Sequence, residues 1–157
     1  MRERGLTGRA IWAPLAAAAL SGLVIGALAR LLMRGVVLAV GGLTGMSLAG
    51  TVAILVAFVV LALPAAVTAT ARPAIMHAGR WVTAVITGLM AARTGLADAK
   101  IIVLADDSQL TPITVLVIAF AAIVVAHGRV AQYLTRRFRA LPAARAEALG
   151  APDARPA

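Results

Sequence analysis

The chain has 157 residues, of which 62% are hydrophobic and only 13% charged, with no cysteine and a formal net charge of +9. A soluble domain carries about 45–50% apolar and about 25% charged residues, and a chain this small has too little interior to hide the excess. A soluble globular fold is therefore excluded, as are disulfides, thiolate metal sites and cysteine nucleophiles.

A membrane-spanning helix needs about 20 mostly apolar residues. The first such stretch runs from about Ala10 to Ala29, behind Arg2, Arg4 and Arg9. A basic start followed by an apolar run imitates a signal peptide, but about 19 apolar residues exceed the usual 7–15 of its hydrophobic region, so a retained span is expected. Within it, Gly22 and Gly26 are four residues apart, the small-residue spacing that lets a second helix backbone come close. Ser21 and the run Ala16 to Ala19 add to this smooth face, so the helix is expected to pack inside a bundle or an oligomer. Arg30 and Arg34 follow one turn apart at its far end.

The second apolar stretch, about Ser47 to Ala69, contains no charged residue. The third is less pure. Trp81 to Ala97 is predicted to cross, with Pro73 able to begin the helix early, Trp81 at the headgroup level and Arg93 snorkelling outward. Thr83, Thr87, Thr94 and Asp98 recur at spacings of four, seven and four, which places them on one helical face. That polar face either hydrogen-bonds to neighbouring helices or lines a water-filled path. The fourth span is predicted over about Thr111 to Ala131, with Thr111 as N-cap and Pro112 at the first helical position. Asp106 and Asp107 precede it, where the helix dipole favours negative charge. Residues Gly128 to Ala140 carry Arg129, Arg136, Arg137 and Arg139 among apolar residues, a lipid-facing basic extension suited to anionic headgroups. The tail, 141–157, is rich in alanine, proline and arginine and is expected to be a short helical end running into disorder.

The expected architecture is all-α, a four-helix transmembrane bundle over residues 1–140. With the N-terminus inside, eleven of the fifteen basic residues (Arg2, Arg4, Arg9, Arg72, Arg80, Arg129, Arg136, Arg137, Arg139, Arg145 and Arg155) fall on the cytoplasmic side. The positive-inside bias thus predicts a multi-pass protein of the bacterial inner membrane with both termini cytoplasmic. The basic residues belong to the ends of spans, so lipid headgroups and not nucleic acid are the expected partners.

Intramembrane polar groups are expensive and are functional candidates by default. Arg30, Arg34, Arg93 and Asp98 are expected at similar depth on the outer side. They are read either as an interhelical ion pair to Asp98 or as an anion or lipid-headgroup site. His77 and His127 lack nearby thiolate or carboxylate ligands and do not make a metal site. No cofactor motif and no catalytic constellation is visible, and an enzyme is not expected.

Arg30-Leu-Leu-Met-Arg34 at the end of a glycine-rich helix, a glycine-containing loop, and Gly50-Thr51 opening the next helix together resemble a group of small membrane proteins from high-GC bacteria. That resemblance covers about residues 20 to 60 and implies the multi-spanning topology, with no assigned activity. Gly26 to Arg30 with Gly50-Thr51 is also similar to the small four-helix fluoride channels. Their second-helix asparagine and third-helix phenylalanine are missing here, which removes the residues that would conduct. A small multidrug exporter is disfavoured because the first span has no acid. Two functions remain: an accessory subunit docking through its helices to a larger membrane complex, or a small self-associating transporter or channel.

Overall fold

A computed structural model describes residues 2–42, 47–97 and 106–150, with side chains described over 11–42, 47–93 and 106–140. These residues form four helices and no strand: α1 (Arg2–Ala39), α2 (Leu48–Val67), α3 (Pro73–Ala97) and α4 (Asp107–Gly150). Close contacts pair Gly22 of α1 with Val59 of α2, Gly35 of α1 with Leu116 of α4, and Gly128 of α4 with Arg80 of α3. The helices therefore alternate in direction. α1 packs along both α2 and α4, which also touch each other, while α3 leans on α2 and α4 from the opposite side.

The ends of the helices follow from local chemistry. α1 runs ten residues beyond the expected limit at Ala29 because nothing before Gly41 breaks it. Gly41 has φ +70°, its N–H donates to Leu38 O at 3.0 Å, and the Gly42 N–H donates to Val37 O at 2.9 Å. This is a Schellman closure, in which a left-handed residue satisfies the orphan carbonyls of the last turn. Ser47 caps α2, its Oγ accepting from the Gly50 N–H at 3.3 Å. Pro73 opens α3, where its missing N–H costs nothing.

The start of α4 differs from the expectation at Thr111. The helix begins at Asp107, with the Gln109 N–H donating to Asp106 O at 2.8 Å and the Asp106 N–H donating to Gln109 Oε1 at 3.2 Å. The glutamine three residues in reaches back to the capping residue, the second half of a capping box, and this outweighs the Thr-Pro signal four residues later. At the other end α4 continues to Gly150, so residues 141–150 are helical, the stretch where a short helical end was expected. Residues 151–157 lie outside the described residues.

Three segments, Ile11–Ala39, Leu48–Val67 and Asp107–Ala140, are long and apolar enough to cross a membrane. α3 has 25 residues, about 37 Å at ~1.5 Å per residue, but it is less apolar because it carries Arg80, Arg93 and three threonines. The bundle is arranged inside out. Its largest fully buried side chains are all polar: His127, Gln132, Thr83, Thr87, Thr135 and Ser21. Leucine, valine and isoleucine crowd the outside, and the buried apolar residues are mostly alanine. In water such a surface would aggregate; against lipid tails it is the stable arrangement. The chain is a helical membrane protein.

With lipid on the outside, burial of apolar area cannot hold the helices together, and close packing takes over. Small residues provide it. Ala18, Ala62, Ala65, Ala66 and Ala131 form one buried cluster, and Ile25, Ala29 and Phe58 form a second, against Ile54, Phe120 and Ile123. At Gly22 an added Cβ would lie 2.5 Å from Val59 N and 2.8 Å from the Phe58 carbonyl carbon, so two backbones touch there. At Gly26 the nearest neighbour is the flexible Leu55 Cδ2, at 3.2 Å. Gly22→Ala is therefore expected to cost about 1–3 kcal/mol of folding stability and Gly26→Ala less than about 1 kcal/mol. Denaturation by sodium dodecyl sulfate in mixed micelles measures both; equal costs at the two positions would contradict the packing described.

Candidate functional site

The polar interior is built mainly by α3 and α4. Thr83 and Thr87 lie one turn apart, both buried, and face inward, whereas Trp81, Val82, Val85, Ile86, Leu89 and Met90 of the same helix face out. Thr83 has a specific task. Its Oγ1 accepts a hydrogen bond from the Ala65 N–H at 3.2 Å, one residue beyond Pro64. Proline inside a helix disturbs the local hydrogen-bond ladder, and in a membrane a neighbouring threonine is a standard way of satisfying the backbone there. Thr87 Oγ1 is buried with no partner among the described residues. Thr94 continues α3, and its side chain is not among those described; Asp98 lies outside the described residues.

His127 occupies the middle of the bundle. It is fully buried, its ring lies 5.5 Å from that of Phe58 at a tilt of 42°, and neither Nδ1 nor Nε2 has a hydrogen-bond partner among the described residues. A buried imidazole without a partner is costly. His77, by contrast, is exposed, with Nδ1 2.7 Å from the Pro73 carbonyl oxygen. No group of three or more potential metal ligands forms among the described residues.

A second polar cluster closes the bundle at the α2–α3 connection. Gln132 of α4 is buried; its Nε2 donates to Met76 O at 2.8 Å and its Oε1 accepts from Arg80 Nε. Arg136 Nε donates to Ala69 O at 3.0 Å, and an Arg139 guanidinium nitrogen donates to Thr70 Oγ1 at 2.9 Å. Arg136 and Arg139 therefore also bond to the α2–α3 connection, a contact that the sequence pattern did not indicate. Arg129 and Arg137 are exposed, and Arg137 donates to Tyr133 Oη at 3.0 Å.

The ion pair expected on the outer side falls outside the described residues, because Asp98 does. Arg30 is half-buried and Arg34 exposed on α1, while Arg93 is exposed on α3. α1 and α3 sit on opposite sides of the α2–α4 pair. The residues missed by sequence reasoning are Arg80, Gln132, Thr135 and the burial of His127. A glutamine and a histidine five residues apart in an apolar run were the available signal, because a lipid-facing position would not tolerate either.

Thr83→Val, nearly isosteric, removes the acceptor for the Ala65 N–H and is expected to cost about 0.5–2 kcal/mol. Thr87→Val, which deletes an unpartnered hydroxyl, is expected to be neutral within about 0.5 kcal/mol or stabilising. Unfolding titrations of the two variants side by side check this, and a larger loss at Thr87 would show that its hydroxyl has a partner in the membrane.

The chain matches no family model, no curated protein and no solved structure, so its function has to be read from the bundle itself.

Proposed function

We propose that the protein is a small accessory or structural subunit of the bacterial inner membrane that docks through its helices to a larger membrane complex. The observation that carries this reading is the outward face of α4. Ile118, Ala121, Ala122, Val125, Ala126 and Arg129 line a shallow apolar groove of about 490 Å³. Small residues four apart on an exposed helix face suit the close approach of another transmembrane helix, and Arg129 at the groove's end offers that helix a polar contact. In this reading α3 is the fourth span, its apolar outer face against lipid and its threonines inside. Both termini are cytoplasmic, which puts Arg72, Arg80, Arg129, Arg136, Arg137 and Arg139 on the inner side in keeping with the positive-inside rule.

Native mass spectrometry after gentle extraction tests the proposal. The expected result is a hetero-complex of fixed composition, lost at least about tenfold in Ala122→Trp, whose side chain would fill the groove without entering the bundle. A chain that is always alone or bound only to itself would overturn it.

A second reading, a small self-associating transporter or channel, is favoured by one observation: His127 and Thr87 hold buried polar atoms without partners among the described residues. Such atoms are what a proton or a hydrated ion passing through would contact. Purified protein in liposomes would then support a proton or small-ion flux that His127→Phe reduces by about tenfold or more while the protein still folds. Absence of flux from the folded wild-type protein removes this reading.

A further inference from the structure

We propose that Arg80 and Arg136, beside the α2–α3 connection, form a binding site for a phosphate group, carried by a lipid headgroup or by a soluble phosphate. The two guanidinium groups come from different helices and converge on one neutral atom. Arg80 Nη2 lies 3.8 Å from Met76 Sδ, and Arg136 Nη2 donates to the same sulfur. A thioether is a weak acceptor, and two cations drawn to it repel each other. A carboxylate between them would be the ordinary solution. Among the described residues none pairs with either arginine, and Asp106 and Asp107 lie at the opposite end of α4, about 44 Å away at ~1.5 Å per residue.

The arginines are held in place all the same. Each is anchored through Nε, Arg80 to Gln132 Oε1 and Arg136 to the Ala69 carbonyl oxygen at 3.0 Å. Gln132 is in turn fixed by its bond to Met76 O at 2.8 Å. Anchoring by neutral groups leaves the charges uncompensated and fixes the direction of the remaining N–H groups, which removes much of the entropy lost on binding. The planar guanidinium fork matches a phosphate with two parallel hydrogen bonds, so two forks facing one point suit an anion with several acceptor oxygens. Met76 is the adaptable part, since an unbranched thioether side chain swings aside easily. Arg80 is half-buried and Arg136 exposed, so a ligand can reach both. Trp81, next to Arg80, is 67% exposed, as expected of an indole at the headgroup level, the depth at which lipid phosphates lie. This site is independent of the α4 groove and of the proposed accessory role.

The test uses the full chain, delipidated in a neutral detergent, with two probes: phosphatidylglycerol added in mixed micelles, and inorganic phosphate in their absence. Adduct retention in native mass spectrometry and the shift in thermal midpoint are read for each. The wild-type protein is expected to bind one equivalent. Arg80→Gln and Arg136→Gln should each weaken binding by about tenfold or more, while Arg129→Gln, an equal charge change on the same helix, should alter it by less than about twofold. Met76→Leu should leave affinity unchanged or raise it. Should the glutamine variants fail to fold, the lysine variants keep the charge without the fork and should still lose about threefold or more. Binding of phosphatidylglycerol alone assigns the site to lipid, and binding of inorganic phosphate assigns it to a soluble anion; either upholds it. No binding of either probe by the folded wild-type protein, or an equal loss in Arg129→Gln and Arg136→Gln, overturns it.

Discussion

Everything in this bundle depends on one constraint: inside a lipid bilayer a buried polar group has to find its partner within the protein, because no water is there to replace it. The same constraint removes the ordinary drive for helices to associate, since a leucine is as comfortable against a lipid tail as against another helix. What remains is close contact between small residues and a few hydrogen bonds across helices. Gly22 brings α1 onto the backbone of α2, and the Ala65 N–H reaches across to Thr83. Large apolar side chains cover the outside, and among the described residues the interior is lined with alanine and threonine, one serine, the Gln132 amide and the His127 imidazole.

The polar groups of the bundle fall into three kinds. Thr83, Gln132, Arg80 and Arg136 are engaged, each joining one helix or connection to another. Thr135 donates to its own helix at Ala131 O and Ser21 does the same to Ala18 O, so these two satisfy themselves and join nothing. His127 and Thr87 stand apart, buried with unpartnered polar atoms among the described residues. A membrane protein that needed only to fold would place leucine and valine at those positions. Their presence separates the parts of the core that hold the bundle together from the part open to a functional role.

Charge is distributed with a comparable division of labour. At the α2–α3 connection the arginines use their Nε atoms to fix structure and direct other N–H groups at a sulfur and at the surface. Arg129 and Arg137, on the same helix, are simply exposed. One helical run of basic residues therefore contains both structural cations and surface cations, and only the neighbouring elements distinguish them.

The sequence by itself determined the solvent. Composition, the three uninterrupted apolar runs and the glycine pair at Gly22 and Gly26 leave a helical membrane bundle as the fold, because length and hydropathy are properties of single segments. The inward direction of Thr83 and Thr87 was also legible, since helical periodicity puts them on one face and lipid rejects that face. Helix limits were less so. The α1 terminus depended on a left-handed glycine at Gly41, and the start of α4 on a hydrogen bond between Asp106 and Gln109, both decided by local geometry that several nearby residues could have supplied. Only the tertiary structure decided which helices are neighbours. It placed α3 across the bundle from α1, and it brought Arg80 to Arg136 and His127 to Phe58. Adjacency between helices is set by the close fit of small residues at a few contact points, which no single segment encodes.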